Sequence, residues 1–324
     1  MKNFAFKTIA LLAFLSVGFI SCSDDDETGR VGTKTIAQIA IDNASFSTLV
    51  QALERAGLVD VLNNPGSYTV FAPTNEAFDN FLDGASINDV PVDVLTQVLL
   101  NHVVAGTVQS SQLSTGYINT LATFGGTTEG NNLNMYVRVN NNQVKLNGVS
   151  DVTLPNIIAS NGIVHAVNAV IGLPTVVTFA TADPTFSTLV SALTELTPAT
   201  DFAGILSRTQ GGNSDNINPA FTVFAPTNDA FAALPAVPDE PVLTQVLLHH
   251  VIGGANVLSS ALTPNGNTTP TMLNGSSITI TLPGTGGNIA NVTDGAGNTG
   301  AGIIAVDVQA ANGVIHVLNK VLLP

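Results

Sequence analysis

The sequence predicts an α+β chain built as two tandem copies of one unit, and three observations predict it. Ten residues recur almost unchanged, "TVFAPTNEAF" from Thr69 and "TVFAPTNDAF" from Thr222, differing only at Glu76 and Asp229. Three more blocks recur in the same order. "ASFSTLVQAL" from Ala44 answers "PTFSTLVSAL" from Pro184, and "LTQVLLNHVVAG" from Leu95 answers "LTQVLLHHVIGG" from Leu243. "NGIVHAVNAVIGLP" from Asn161 answers "NGVIHVLNKVLLP" from Asn312. Within each copy the apolar period is helical first and strand-like later. In chain order the offsets are 140, 153, 148 and 151 residues, a domain-sized repeat and not the short period of a solenoid.

Residues 1–21 read as a secretory signal peptide: Lys2 and Lys7, an apolar run from Ile9 to Ile20, then Ser21. The run is shorter than the ~20 apolar residues of a membrane-spanning helix. Cys22, the only cysteine, stands where bacterial lipoproteins carry their acylated residue, and "GFISC" resembles that lipobox, with Phe19 where Leu is commoner. The plain alternative is cleavage elsewhere and a free thiol. Acylation would leave no thiol for a disulfide, so each unit must hold by core packing. Each buried methylene of an acyl chain contributes about 0.8 kcal/mol, and more than one chain anchors stably. Residues 22–33 form a lipidated acidic tether. Its "SDDDETG" suits a solvated spacer, and it equally resembles the surface-export address of some Gram-negative lipoproteins. The expected location is the outer membrane, displayed at the cell surface, with a periplasm-facing lipoprotein as the alternative.

The copies themselves occupy residues 34–174 and 175–324. In the first, Phe46, Leu49, Val50 and Leu53 mark one face of a helix ending near Gly57; Phe186, Leu189, Val190 and Leu193 repeat it. Val70 and Phe71 belong to a buried strand that Pro73 stops, because proline offers no ladder donor. Thr74 then caps a helix, Glu76 sits where the helix dipole favours an anion, and Phe78 and Phe81 point at the core. Leu95, Val98, Leu99 and His102 share a helical face, matched by Leu243, Val246, Leu247 and His250. "MYVRV" and "QVKL" flank a polar turn at residues 140–142, and "SITITL" from Ser277 alternates by twos. The second copy gains 13 residues within 197–219, whose polar, Gly- and Asn-containing part reads as a surface loop. The join, residues 172–183, is no Gly/Ser tether and predicts a semi-rigid pair.

Composition excludes some functions. Formal net charge is −14; without Lys2 and Lys7 the mature chain stands at 7 − 23 = −16. Nucleic acid is excluded as a partner, since phosphate binding draws on clustered Lys and Arg, and contact with the membrane is expected through the acyl anchor alone. Of five histidines, His165 and His316 alternate with apolar residues of a strand, and His102 and His250 end an apolar helix face; all four read as core. A zinc site needs three or four convergent ligands, and no such spacing exists; His249 and His250 are adjacent and point apart on a helix. "GAGNTG" from Gly295 leads into a strand-like segment, so it is a hairpin loop and not a dinucleotide fingerprint. No cofactor and no catalytic residue is expected.

"FAPTNEAF" and "FAPTNDAF", with "NGIVH" and "NGVIH" near the unit ends, resemble the two signature blocks of the fasciclin (FAS1) domain, over about residues 34–324. The resemblance implies, for each copy, a β-wedge of two sheets beside a helical bundle. It assigns Thr74, Asn75, Thr227, Asn228, His165 and His316 to the family motif in a structural role. It implies a non-enzymatic part in cell adhesion, with matrix, a cell-surface protein or a polysaccharide as partner. In animal members a Tyr-His pair among aliphatic residues is linked to adhesion; the matching positions are Asn101-His102 and His249-His250, without the Tyr, which makes His102, His249 and His250 the candidate interaction region. The alternative function is an accessory lipoprotein that captures polysaccharide beside an uptake system.

Overall fold

Thr35 opens the first domain with a capping box: its hydroxyl accepts the Gln38 N–H at 3.2 Å, and the Gln38 carboxamide accepts the Thr35 N–H at 3.0 Å. In a computed structural model of the chain, residues 32–126 and 130–324 are described. The signal segment, Cys22 and the acidic tether lie outside the described residues. From Thr35 run α1 (Ile36–Asp42), α2 (Ser47–Arg55) and α3 (Val59–Asn63), then strand β1 (Tyr68–Pro73). The corner after Pro73 leads into α4 (Asn75–Leu82), followed by α5 (Val92–Leu100) and β2 (Val103–Ala105). Five strands complete the domain: β3 (Gly116–Thr123), β4 (Asn132–Asn140), β5 (Gln143–Leu146), β6 (Ser150–Ala159) and β7 (Gly162–Val167).

The second domain repeats the plan. Its helical part is α6 (Val176–Ala182), α7 (Ser187–Thr194), α8 (Phe202–Leu206), then strand β8 (Phe221–Pro226), α9 (Asn228–Ala232) and α10 (Glu240–Leu248). Its later strands are β9 (Val251–Gly253), β10 (Asn267–Thr268), β11 (Thr279–Thr281), β12 (Ala290–Thr293), β13 (Ala301–Ala310) and β14 (Gly313–Leu318). Thr175 builds the same capping box on Thr178 that Thr35 builds on Gln38.

The strands of the first domain follow the order β2-β1-β7-β6-β5-β4-β3, and those of the second β10-β11-β12-β13-β14-β8-β9. Two sheets per domain are expected, and the hydrogen bonds link them into one series of seven, with the division falling within one long strand. Ser150 and Asp151 of β6 pair with β5, and the rest of β6 pairs with β7 across two register shifts. Strand β13 divides its partners between β12 and β14 in the same way. The series curls back until β2 lies against β3.

Each domain therefore has two apolar cores on opposite faces of one central strand pair. In β1, Val70 and Ala72 face the helices with Leu49, Leu53, Phe78 and Leu95. Phe71 faces the interior of the wedge with Met135, Val137, Leu146 and Val167. Alternation along a strand does this, because successive side chains leave opposite faces. Phe224 repeats the part of Phe71 in the second domain.

Two expectations are corrected. Phe81 does not reach the core; it is 40% exposed, whereas Phe78 is buried. Phe81 falls in the last turn of α4, just before Asp83 ends the helix in the left-handed conformation at φ 47°. The join read at residues 172–183 is shorter, because residues 176–182 are helix α6, the first helix of the second domain. Of the 13-residue gain, 4 residues fall before α8 and 9 after it, where an exposed loop is tied by Arg208 through Asp215 at 2.8 Å and the Ile217 carbonyl at 2.8 Å.

The domains meet along β4 and β13 and around an aromatic cluster. The Tyr117 ring centre lies 5.0 Å from that of Tyr136 and 5.4 Å, edge-on, from that of Phe179 on α6. Its hydroxyl donates to Asp183 at 3.0 Å, and Asp183 also caps the turn before α7. Burial, with the Asp183 carboxylate second, pushes the Tyr117 phenol well above its ordinary pKa. The Gln309 N–H of β13 donates to Asn134 Oδ1 of β4 at 2.6 Å.

Candidate functional site

The first signature block is a corner with two fasteners. Thr74 accepts the Ala77 N–H at 3.3 Å and Thr227 accepts the Ala230 N–H at 3.2 Å, satisfying a helix-start donor that would otherwise be orphaned. Asn75 reaches sideways: its Oδ1 accepts the Thr48 N–H at 3.0 Å and its Nδ2 donates to the Ala44 carbonyl at 2.9 Å. Asn228 makes the same pair of bonds to Thr188 and Pro184. Both amide groups are spent on holding one helix start to another.

The second signature block closes the domain. Asn161 accepts the Ile36 N–H at 2.9 Å and donates to the carbonyls of Leu62 and Asn64, both at 2.9 Å. Asn312 does the same with Val176, Leu206 and Arg208. The next residue must be glycine, since a Cβ on Gly162 would sit 2.0 Å from the Tyr68 carbonyl oxygen, and one on Gly313 would sit 2.1 Å from that of Phe221. These two asparagines are not among the residues assigned to the motif, although "NG" in both copies is a signal for them.

The blocks are brought side by side. Strand β1 runs parallel to β7 with Phe71 opposite His165, and the two rings stack with centroids 5.5 Å apart. His165 Nε2 donates to the Val108 carbonyl at 3.0 Å, and Nδ1 accepts the Asn156 N–H at 3.2 Å. His316 makes the equivalent bonds to Val257 and Asp307. Asn156 and Asp307 are the left-handed residues of the register shift, at φ 62° and 61°. Their side chains pin the loop beyond, at Ser110 and at Ser259. Each histidine thus locks the bend of its own sheet.

His102 and His250 sit two residues past the end of α5 and α10 and use the opposite tautomer. Nδ1 of His102 donates to the Val98 carbonyl at 2.7 Å, and Nε2 accepts the Ile171 N–H at 2.9 Å. His250 has the same two bonds, to Val246 and Leu322. Burial pushes both pKa values down to about 4, against the smaller opposing pull of the carbonyl bond. Burial also lowers His165, His316 and His249.

The residue before each of these histidines differs between copies, and so do its bonds. Asn101 donates to the Ile171 and Gly172 carbonyls at 3.3 and 3.1 Å. His249 faces Ser276 Oγ at 2.6 Å through Nδ1. That pair is not a nucleophile and its base, because Nε2 already accepts the Gly295 N–H at 3.2 Å, so Nδ1 carries the proton. Ser276 in turn donates to Asn274 Oδ1 at 2.7 Å. His102, His249 and His250 are all buried and meet no solvent. Among the described residues, no group of three His, Cys, Asp or Glu side chains is placed to hold a metal ion.

One concave polar feature lies elsewhere, between the domains. Asn119, Asn131 and Asn132 of the first domain face Ser260, Asp307 and Gln309 of the second across a cleft of about 340 Å³. Sequence reasoning missed it. Its walls come from strands 175 residues apart, joined at Asn134 and Gln309, and no local pattern marks them.

Comparison with known proteins gives four findings. The family profile of the Fasciclin domain matches residues 44–174 and 184–324. Helices α1 and α6 precede the matched segments and pack into the same cores. Protein sll1483 of Synechocystis sp. is 35% identical over 141 residues, covering 42% of this chain and 72% of that protein. Cell surface glycolipoprotein MPB83 of Mycobacterium bovis is 42% identical over 85 residues, which span 24% of this chain and 38% of that protein. Among solved structures, the FAS1 domain pair of the insect cell adhesion molecule Fasciclin I superposes with a TM-score of 0.51 at 19% identity, over 87% of this chain and 98% of that one.

Proposed function

The chain belongs to the fasciclin domain family, as two tandem copies, and from that premise we propose that it is a non-enzymatic adhesion or interaction protein held at the cell surface by an acylated Cys22. Fasciclin domains generally serve as adhesion and interaction modules, and MPB83, similar over part of one domain, is a cell-surface glycolipoprotein.

One observation carries the reading. The asparagines and histidines of the two signature blocks are spent inside their own domain: Asn75 and Asn228 on helix starts, Asn161 and Asn312 on helix ends, His165 and His316 on the sheet bend. Such groups build a display scaffold, and recognition falls to the surface outside the motifs. His102, His249 and His250 would act in it by fixing the segments at Ile171, Gly295 and Leu322 from beneath. No single described helix is long and apolar enough to cross a membrane, which leaves attachment in this proposal to the lipidated cysteine.

Cells lacking the protein should attach to matrix- or polysaccharide-coated surfaces, or aggregate, less than their parent, and protease added to intact cells should remove it. Unchanged attachment on every surface tried, or resistance to protease until lysis, would overturn the reading.

A further inference from the structure

We propose that the cleft between the two domains binds a neutral, hydroxyl-rich ligand, a short stretch of uncharged glycan. The inference rests on the surface-interaction reading above and gives it a ligand class and a location. At about 340 Å³ the cleft has the size of a small-molecule site, ~300–1,000 Å³, and it lies at a domain boundary, where such sites concentrate.

Its polar groups are set in place by bonds behind them. Asn134 holds both sides: its Oδ1 accepts the Gln309 N–H of the second domain, and its Nδ2 donates to Asn119 Oδ1 at 2.8 Å. The Asn119 carboxamide is thereby oriented with its donor end unused among the described residues. Asn132 is oriented the other way: its Nδ2 donates to the Thr120 carbonyl at 2.7 Å, leaving Oδ1 to accept. The Asp307 carboxylate is fixed by the Ser259 N–H and hydroxyl, and each oxygen keeps a lone pair. The Ser260 hydroxyl lies at the rim of the same cleft.

Donors and acceptors held side by side match a sugar hydroxyl, which both donates and accepts. Among the described residues, neither Lys nor Arg lines the cleft and Asp307 is its one charged group, so sulfated, phosphorylated and uronic-acid polymers meet repulsion. Absence of an aromatic face among the lining residues makes hydrogen bonds, not stacking, the source of selectivity. The cleft belongs to the pair: Asn156, the counterpart of Asp307 in the first domain, pins Ser110 and has no place in it.

The test uses the full-length protein in detergent micelles, titrated with cellotetraose, maltotetraose and mannotetraose, and with a sulfated heparin tetrasaccharide. At least one neutral tetrasaccharide should bind with a Kd of about 1 mM or tighter, and the sulfated probe should not. Asp307→Asn, the residue type that the first domain already uses at Asn156, should weaken binding about tenfold. Ser260→Trp, at an exposed position, should abolish it while melting stays unchanged. Failure of all three neutral probes, preference for the sulfated one, or binding that survives Ser260→Trp would overturn the proposal. Reduced attachment of deletion cells alongside such a result would leave the adhesion reading standing. Binding in the cleft with unchanged attachment would remove that reading and favour polysaccharide capture.

Discussion

Four histidines occupy two positions of the repeat, and each position fixes one tautomer. His102 and His250 carry the proton on Nδ1, and His165 and His316 carry it on Nε2, because a carbonyl faces that nitrogen and an amide N–H faces the other. Protonating any of them would set a new N–H against a backbone N–H in a buried site. For His102 and His250 the folded pKa is about 4 against 6.5 unfolded, so the unfolded chain binds the proton more readily between those values. Stability is full above about pH 6.5 and falls as pH drops toward 4, by up to about 3 kcal/mol for each histidine. Urea midpoints measured across that range should show the loss. Ring-nitrogen NMR should show Nδ1–H at His102 and His250 and Nε2–H at His165 and His316; titration of His102 near 6.5 would refute the assignment. The core placement was legible from strand alternation for His165 and His316 and from the apolar helix face for His102 and His250. Their tautomers were not, since the facing amides come from residues as far as 72 positions away.

At the scale of elements, the two copies differ most where their first three helices meet the sheet. Between α6, α7 and α8 lies an apolar cavity of about 80 Å³, and the counterpart between α1, α2 and α3 is about 10 Å³. The lining explains part of the difference. Val176 stands where the first domain has Ile36, and Ala203 where it has Val59, the helices being aligned by the bonds of Leu62 and Leu206 to Asn161 and Asn312. Cavity volume costs about 24 cal/mol per Å³, so Val176→Ile with Ala203→Val should stabilise the second domain by roughly 1–2 kcal/mol. Its melting temperature is the readout, and a fall would mean the space cannot take the added methyl groups. The longer helices and strands were legible because period and caps agree. Helices α3 and α8, five residues each, are too short to show a period. Helix α6 looks like a linker in the sequence because Val176, Phe179 and Ala182 are buried while its outward face carries threonines instead of charges.

For the whole molecule, the fold and the proposed anchor at Cys22 are separate devices. The described domains hold through apolar cores and internal hydrogen bonds, and Cys22 lies 12 residues before Lys34, where the first domain begins. Cys22→Ser should release the protein from the membrane fraction while its melting curve stays the same. Retention in the membrane fraction would contradict acylation as the attachment. The proposed anchor rests on a short local motif; the cleft has no such motif, because it exists only once two distant strands have met.

The first helix of each domain is clasped by that domain's last strand. Ser160 donates to the Lys34 carbonyl at 2.8 Å and Asn161 holds Ile36; Ala311 donates to the Pro174 carbonyl at 2.7 Å and Asn312 holds Val176. The entrance of each module is therefore fixed to the turn that leads into its last strand. A pull on residue 34 passes across the Ser160 hydrogen bond into the turn before β7, the strand that lies beside β1. Load is thereby shared with the sheet before it reaches the body of α1.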